Sequence, residues 1–219
     1  MSQPTTSPLV PPTYPATLSI DYPDRPLNRL TSFFRIFTAI PILIVIGLID
    51  GGGTFRWEES ASSWHAAPYV GGLLFLPLVL MILFRQKYPR WWFDWNLALT
   101  RFSYRVSTYF LLLRDEYPST DDEQSVHLEL TYPDVQNQLG RGWPLIKWFL
   151  AIPHYVVLFF LGIAVLVLWI VAWIVILFTG RYPRGMFDFT VGVFRWALRV
   201  AAYAFLLLTD KYPAFSLEP

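Results

Sequence analysis

Two sets of charged residues recur at one spacing in this sequence: Asp94, Arg101 and Arg105, then Asp188, Arg195 and Arg199. At about 100° per residue each trio falls within roughly 40° of arc on one helix face. Phe187, Val191, Phe194, Leu198 and Phe205 lie opposite the second trio. An aspartate suits the first turn of a helix, and two arginines on the same face can snorkel to headgroups or hold an acidic partner. Arg90 and Arg184 stand just ahead, in Arg85-Gln-Lys-Tyr-Pro-Arg90 and Gly180-Arg-Tyr-Pro-Arg184. These basic corners suit topology anchoring or the docking of an anionic lipid or protein surface. The eight residues are the candidate lipid or partner contacts.

His154 is the candidate intramembrane polar residue. It follows Pro153 in an apolar stretch, where an ionisable group invites a metal or proton role. No His, Cys or carboxylate stands at ligand spacing from it, and His65 and His127 fall on other elements, so a structural hydrogen bond is the better reading. Lys147, early in the same stretch, reads as a snorkelling lysine. No Ser/His/Asp grouping, no carboxylate pair in an apolar pocket and no metal cluster is legible. Gly51-Gly52-Gly53 lacks the preceding strand and following Gly-Lys-Ser/Thr of a phosphate loop. The absence of cysteine excludes disulfides, thiolate nucleophiles and iron–sulfur or cysteine-zinc sites. The sequence therefore predicts no enzyme, no cofactor and no metal.

Of 219 residues 54% are hydrophobic and 18% aromatic, while only 15% are charged, well under the ~25% of a soluble domain. The apolar excess comes in blocks, which points to lipid. A net charge of +1 supplies no field for nucleic acid.

What positions the candidate residues is an internal repeat. Tyr22-Pro23-Asp24 returns as Tyr132-Pro133-Asp134, and Ala39-Ile40-Pro41 as Ala151-Ile152-Pro153. Tyr88-Pro89-Arg90 and Phe93-Asp94 return as Tyr182-Pro183-Arg184 and Phe187-Asp188. Phe110 to Asp115 matches Phe205 to Asp210 after a one-residue slip. The pattern reads as a duplication: a disordered tail over 1–16, repeat 1 over 17–118, a linker over 119–125 and repeat 2 over 126–219. Repeat 1 carries an insert of about eighteen residues near 50–69, too polar for hydrocarbon.

Each unit predicts a short strand ending in Tyr-Pro, at 17–22 and 126–132, and then a transmembrane hairpin. The hairpins cover about 30–49 with 69–86, and about 143–161 with 163–179. The second is expected to bend near Gly162, because 34 apolar residues as one helix would span about 50 Å against a core of about 30 Å. Pro41 and Pro153 are expected to kink the first helix of each hairpin. An amphipathic helix follows over 91–113 and 185–208, placed in the membrane interface because paired arginines are costly in a lone span. Four crossings then put sixteen of the seventeen Lys and Arg on one side and leave Arg56 opposite, the cleaner fit to the positive-inside rule. The fold class is all-α integral membrane, with short β segments at the cytoplasmic face and both termini cytoplasmic.

The strings Ala151-Ile-Pro-His154, Leu177-Phe-Thr-Gly-Arg-Tyr-Pro-Arg-Gly-Met-Phe-Asp188, Phe194-Arg-Trp-Ala-Leu-Arg199 and Leu208-Thr-Asp-Lys-Tyr-Pro213 resemble the bacterial membrane family catalogued as domain of unknown function 4389. Repeat 2 follows its pattern closely. Repeat 1 follows it loosely, with Ile42 in place of the histidine and Arg85-Gln-Lys in place of Thr-Gly-Arg. The resemblance implies a multi-pass bacterial inner-membrane protein with two tandem copies, and no activity. The expected function is a non-catalytic structural or accessory subunit that self-assembles or docks on other membrane-protein subunits, with membrane lipids as partners. A small transporter or channel, and a membrane-shaping or lipid-binding protein, are the alternatives.

Overall fold

The computed structural model describes residues 14–49, 77–120 and 122–218. Most of the predicted tail, the polar insert at 50–69 and the first part of the 69–86 helix lie outside the described residues.

Two strands with alternating side chains open the architecture. β1 (Ala16–Ile20) turns Ala16, Leu18 and Ile20 inward, and β2 (Val126–Leu130) does the same with Val126 and Leu128. The strands pair with each other, antiparallel, with Leu18 opposite Leu128. β1 already begins at Ala16, and Tyr14 donates from its hydroxyl to Arg199 O at 3.1 Å, so the end of the expected tail belongs to the fold. The main-chain bonds Asp21 N–H to Ser125 O and Thr131 N–H to Pro15 O fix the register. Counting inward from them, Leu18 and Leu128 form a non-hydrogen-bonded pair, whose carbonyls point off the two outer edges of the ribbon.

Eight helical segments complete the described chain. They are α1 (Arg29–Phe33), α2 (Arg35–Ile49), α3 (residues 77–85, ending in a π-helical turn at Met81–Arg85), α4 (Arg90–Phe110), α5 (Val135–Gln138), α6 (Pro144–Leu150), α7 (Ile152–Thr179) and α8 (Arg184–Ala204). The helices α4 and α8 are 21 residues each and begin at matched Tyr-Pro-Arg strings, where Pro89 and Pro183 take the same extended conformation just outside the first turn. Both end on a leucine forced into left-handed backbone, Leu112 at φ 64° and Leu207 at φ 53°. Such a conformation costs a residue with a Cβ about 1–2 kcal/mol. Both side chains are fully buried, which holds them there.

The elements stack in three layers. The ribbon packs on α4 and α8, with β1 against α8 and β2 against α4. On the other side α2 lies on α4, and α7 on α8. Ala39 and Ile42 meet Phe102, Val106 and Tyr109 in one seam; Ala151, Trp196, Val200 and Tyr203 form the matching one. The outer faces of α2, α6 and α7 carry no cover: Phe37, Ile44, Phe149, Phe159, Phe160, Val167 and Phe178 are all exposed.

Three expectations change. α7 is one unbroken helix of 28 residues that passes Gly162 without a bend, so residues 143–179 are not a hairpin of two equal helices. The break falls earlier, at Ala151 between α6 and α7, where Pro153, which has no N–H to donate, takes a place in the first turn of α7. Pro153 thus begins a helix, whereas its counterpart Pro41 lies inside α2. Finally, α4 and α8 are a middle layer covered on both faces, not helices with a free polar face. Among the described residues α7 is the one helix long and apolar enough to cross a membrane.

Arg101 Nε donates to Leu128 O at 2.8 Å and Arg195 Nε to Leu18 O at 2.9 Å, so each arginine satisfies one edge carbonyl of the ribbon. Replacing either by methionine keeps the stem and leaves that acceptor without its donor. Arg195→Met and Arg101→Met should each lower stability by about 1–3 kcal/mol, read as a fall in the thermal midpoint of the detergent-solubilised protein. A shift in one variant alone would show that the two contacts are not equivalent.

Candidate functional site

The polar residues that could do chemistry gather where the ribbon meets α4 and α8, and each contact occurs twice at matched residues. Tyr22 donates from its hydroxyl to Tyr182 O, and Tyr132 donates to Tyr88 O. The Arg184 guanidinium lies 5.0 Å from the Tyr22 ring centroid, and that of Arg90 lies 4.8 Å from the Tyr132 ring. Tyr22 meets Phe187 edge-on at 5.1 Å and Tyr132 meets Phe93 at 5.2 Å. In every pair one partner comes from the first half and one from the second.

A second matched set is built on two buried cations, Arg35 and Lys147. Asp115 takes an ion pair from Arg35 and accepts from the Asn28 N–H at 2.7 Å. Asp210 takes an ion pair from Lys147 Nζ at 2.6 Å and accepts from the Gly140 N–H at 2.7 Å. Arg35 lies over the Tyr109 ring at 4.0 Å, and Lys147 over the Tyr203 ring at 5.4 Å. Lys147 is 0% exposed and also donates to Thr209 O, so it does not snorkel. A lysine whose carboxylate partner sits within 3 Å has no reason to seek the surface. Sequence reading missed both pairs, although Asp115 and Asp210 each sit two residues before a repeated Tyr-Pro.

The arginines of the two trios are consumed inside the chain. Besides Arg101 and Arg195 on the ribbon, Arg105 donates to Ser119 O at 2.7 Å, and Arg199 donates to the carbonyls of Glu218 and Ser216. They tie down the segment after each long helix, Ser119 in the first half and Ser216 and Glu218 in the second. Asp94 and Asp188 stay exposed, as do Arg90 and Arg184, with Arg90 and Asp94 paired at 3.9 Å. The predicted common face therefore divides: its aspartates look outward and its arginines inward.

His154 is 0% exposed. Its Nδ1 accepts from Trp196 Nε1 at 3.1 Å, and its ring stacks on Phe215 at 3.9 Å. An acceptor at Nδ1 places the ring proton on Nε2, which has no partner within hydrogen-bond reach. The neutral imidazole is a packing and hydrogen-bonding element, and its partner Trp196 lies beyond what sequence spacing could indicate. Among the described residues no three His, Cys, Asp or Glu side chains come together as a metal-binding group.

Glu116 closes the loop after α4. It accepts from Ser125 Oγ at 2.6 Å, Ser125 N–H at 3.1 Å and Arg114 at 2.8 Å. Partial burial alone would raise its pKa; the Ser125 and Arg114 hydrogen bonds and the Arg114 charge outweigh that and hold the carboxyl below the ordinary glutamate range.

Residues 144–216 match the family described as Domain of unknown function (DUF4389), as a single copy. No curated protein and no solved structure matches the chain.

Two outcomes follow from this geometry. Asp210→Asn strands a buried ammonium and should cost about 3–5 kcal/mol, most of it recovered in the double variant Lys147→Met/Asp210→Asn. Equal losses in the single and double variants would show that the pair's charge is not the cause. The Glu116 carboxyl is depressed by folding, so its stabilisation is complete above the unfolded pKa of about 4.3 and is lost as pH falls through the lower folded value. Thermal midpoints measured downward from pH 6 should fall less steeply for Glu116→Gln than for the parent.

Proposed function

We propose that this chain is a non-catalytic integral protein of the bacterial cytoplasmic membrane. It is built of two tandem copies of one unit and acts as a structural or accessory subunit that self-assembles or docks on a larger membrane complex. The observation that carries the reading is the bare outer layer. Only 17% of the apolar window of α7 is buried, whereas the core helix of a water-soluble protein is mostly covered. Large apolar side chains on α2, α6 and α7 are left uncovered, which water would penalise at about 25 cal/mol per Å² and lipid or a partner subunit would not. At about 1.5 Å per residue α7 is roughly 42 Å long, enough for the hydrocarbon core with some tilt.

The family match covers only the second unit. What extends the reading to the first is the doubling of contacts: Tyr22 with Tyr132, Arg101 with Arg195, Arg35 with Lys147 and Leu112 with Leu207. The non-catalytic reading rests on how the polar groups are used, since Arg35, Lys147 and the Nδ1 of His154 are engaged in contacts that hold elements together. The ribbon and the exposed basic residues are placed on the cytoplasmic side, where short loops favour Lys and Arg.

Isolation of the tagged protein from its native membrane in mild detergent tests this reading. Stoichiometric additional subunits, or a large homo-oligomer, are the expected result. A lone monomer that moves solute when reconstituted by itself in liposomes would replace the accessory reading with the transporter. Because the chain has no cysteine, single cysteines placed in the 50–69 insert and at 119–125 report sidedness directly: labelling from opposite faces is expected, and labelling from one face sinks the hairpin in the first unit.

A further inference from the structure

Sixteen of the seventeen Lys and Arg fall within the described residues, and seven of these are spent on internal contacts: Arg35, Arg101, Arg105, Arg114, Lys147, Arg195 and Arg199. Apart from Lys211, the others gather at two corners. One holds Arg25, Arg29, Arg181 and Arg184, where α7 turns into α8. The other holds Arg85, Lys87, Arg90 and Arg141, where α3 turns into α4.

The corners differ in what their cations already hold. In the second, Arg90 is paired with Asp94 and Arg141 donates to Gln86 Oε1 at 3.0 Å. In the first, none of the four arginines forms an ion pair with a carboxylate among the described residues, and all are exposed. The backbone fixes them as a group. The Leu27 N–H donates to Gly180 O at 2.8 Å, Arg29 Nε lies 3.6 Å from where a Cβ on Gly180 would stand, and Arg184 sits over Tyr22. Arg25 and Arg181 line one cleft of about 310 Å³, in which Asp24 is the single carboxylate.

Beside this cluster the surface becomes apolar at once. Phe178 is 79% exposed on the last turn of α7, and Leu30 and Phe33 are exposed on α1. We infer that this corner is a seat for an anionic phospholipid, its phosphate held by Arg25, Arg29, Arg181 and Arg184 and its acyl chains lying along Phe178, Leu30 and Phe33. Guanidinium groups suit the ligand because their planar forks match phosphate oxygens two at a time. A free phosphate would use the cations but not the adjoining apolar strip, and that strip commits the site to a lipid. The inference rests on the membrane reading and deepens it.

The test uses the purified, delipidated full chain in mild detergent, titrated with phosphatidylglycerol or phosphatidylcholine and read by native mass spectrometry. The parent should retain phosphatidylglycerol and discriminate against phosphatidylcholine. The variant Arg25→Gln/Arg29→Gln/Arg181→Gln/Arg184→Gln should bind phosphatidylglycerol at least about tenfold more weakly, with phosphatidylcholine unchanged. Arg25→Gln/Arg181→Gln, which spares the Tyr22 stack, should show an intermediate loss should the fourfold variant fail to fold. Lys87→Gln/Arg141→Gln at the other corner should change little. Equal retention of both lipids by the parent, undiminished binding in the first-corner variants, or displacement of the lipid by millimolar inorganic phosphate would each overturn the proposal. Alkaline carbonate extraction of the same chains separates this failure from that of the membrane reading: a corner variant that stays in the pellet leaves the membrane reading standing.

Discussion

A two-stranded ribbon has two free edges, and that constraint organises this molecule. Each edge presents carbonyls with no neighbouring strand to bond them, at positions the fold buries under helices. An unpaired buried carbonyl costs on the order of 1–3 kcal/mol, so something must donate to it. The solution is an arginine at mid-length on each amphipathic helix, aimed at Leu128 O or Leu18 O. This fixes the faces of α4 and α8. With their arginines turned to the ribbon, Phe102, Val106 and Tyr109 of α4 meet α2, Trp196, Val200 and Tyr203 of α8 meet the start of α7, and the apolar outer surface of α2 and α7 is left uncovered.

The sequence displayed matched strings and misled about the use of the residues in them. Matched strings located α4 and α8 to within a few residues, and the Tyr-Pro that follows each strand located both strands. The arginines looked like headgroup ligands because a helical wheel reports which residues share a face but not what lies opposite it. The strands that cover those faces come from outside the helices: Leu128 is 27 residues from Arg101, and Leu18 is 177 residues from Arg195. Lys147 misled for the same reason, its partner Asp210 being supplied by the chain after α8. The bend expected at Gly162 failed differently. It came from the length of the apolar run against a bilayer core, yet nothing in residues 152–179 breaks helical bonding, and a Cβ at Gly162 would meet open space. A glycine in a long apolar helix costs about 1 kcal/mol relative to alanine, too little to turn the chain without another breaker.

Where the halves differ, packing makes up the difference locally. Arg35 becomes Lys147, and the ring beneath the cation changes from Tyr109 to Tyr203. Ile42 becomes His154, and the second half adds Trp196 as donor to the imidazole and Phe215 to stack on it. The one-residue slip seen in sequence between Phe110 and Asp115 has a structural counterpart in the turns after the long helices. Leu113 N–H bonds back to Thr108 O, whereas Leu208 N–H reaches Ala202 O, one residue further. Both turns still deliver an aspartate to the matched buried cation, Arg35 or Lys147.

The exchange of strands sets a limit on what either half can be alone. β1 precedes α2 and α4 in the chain but lies on α8; β2 precedes α7 and α8 but lies on α4. Tyr22 and Tyr132 cross in the same sense, each bonding a carbonyl at the start of the other half's long helix. A half folded by itself would leave its own arginine aimed at an absent strand and its own strand without a partner edge. Both defects vanish together when two halves meet, and neither vanishes with one. The polar layer is thus a clasp: the apolar helices on its far side are held in fixed relation by the contacts among the ribbon, α4 and α8. Helix association within a bilayer lacks the hydrophobic drive available in water. A polar clasp at the boundary supplies the specificity that apolar side chains, all alike to lipid, do not.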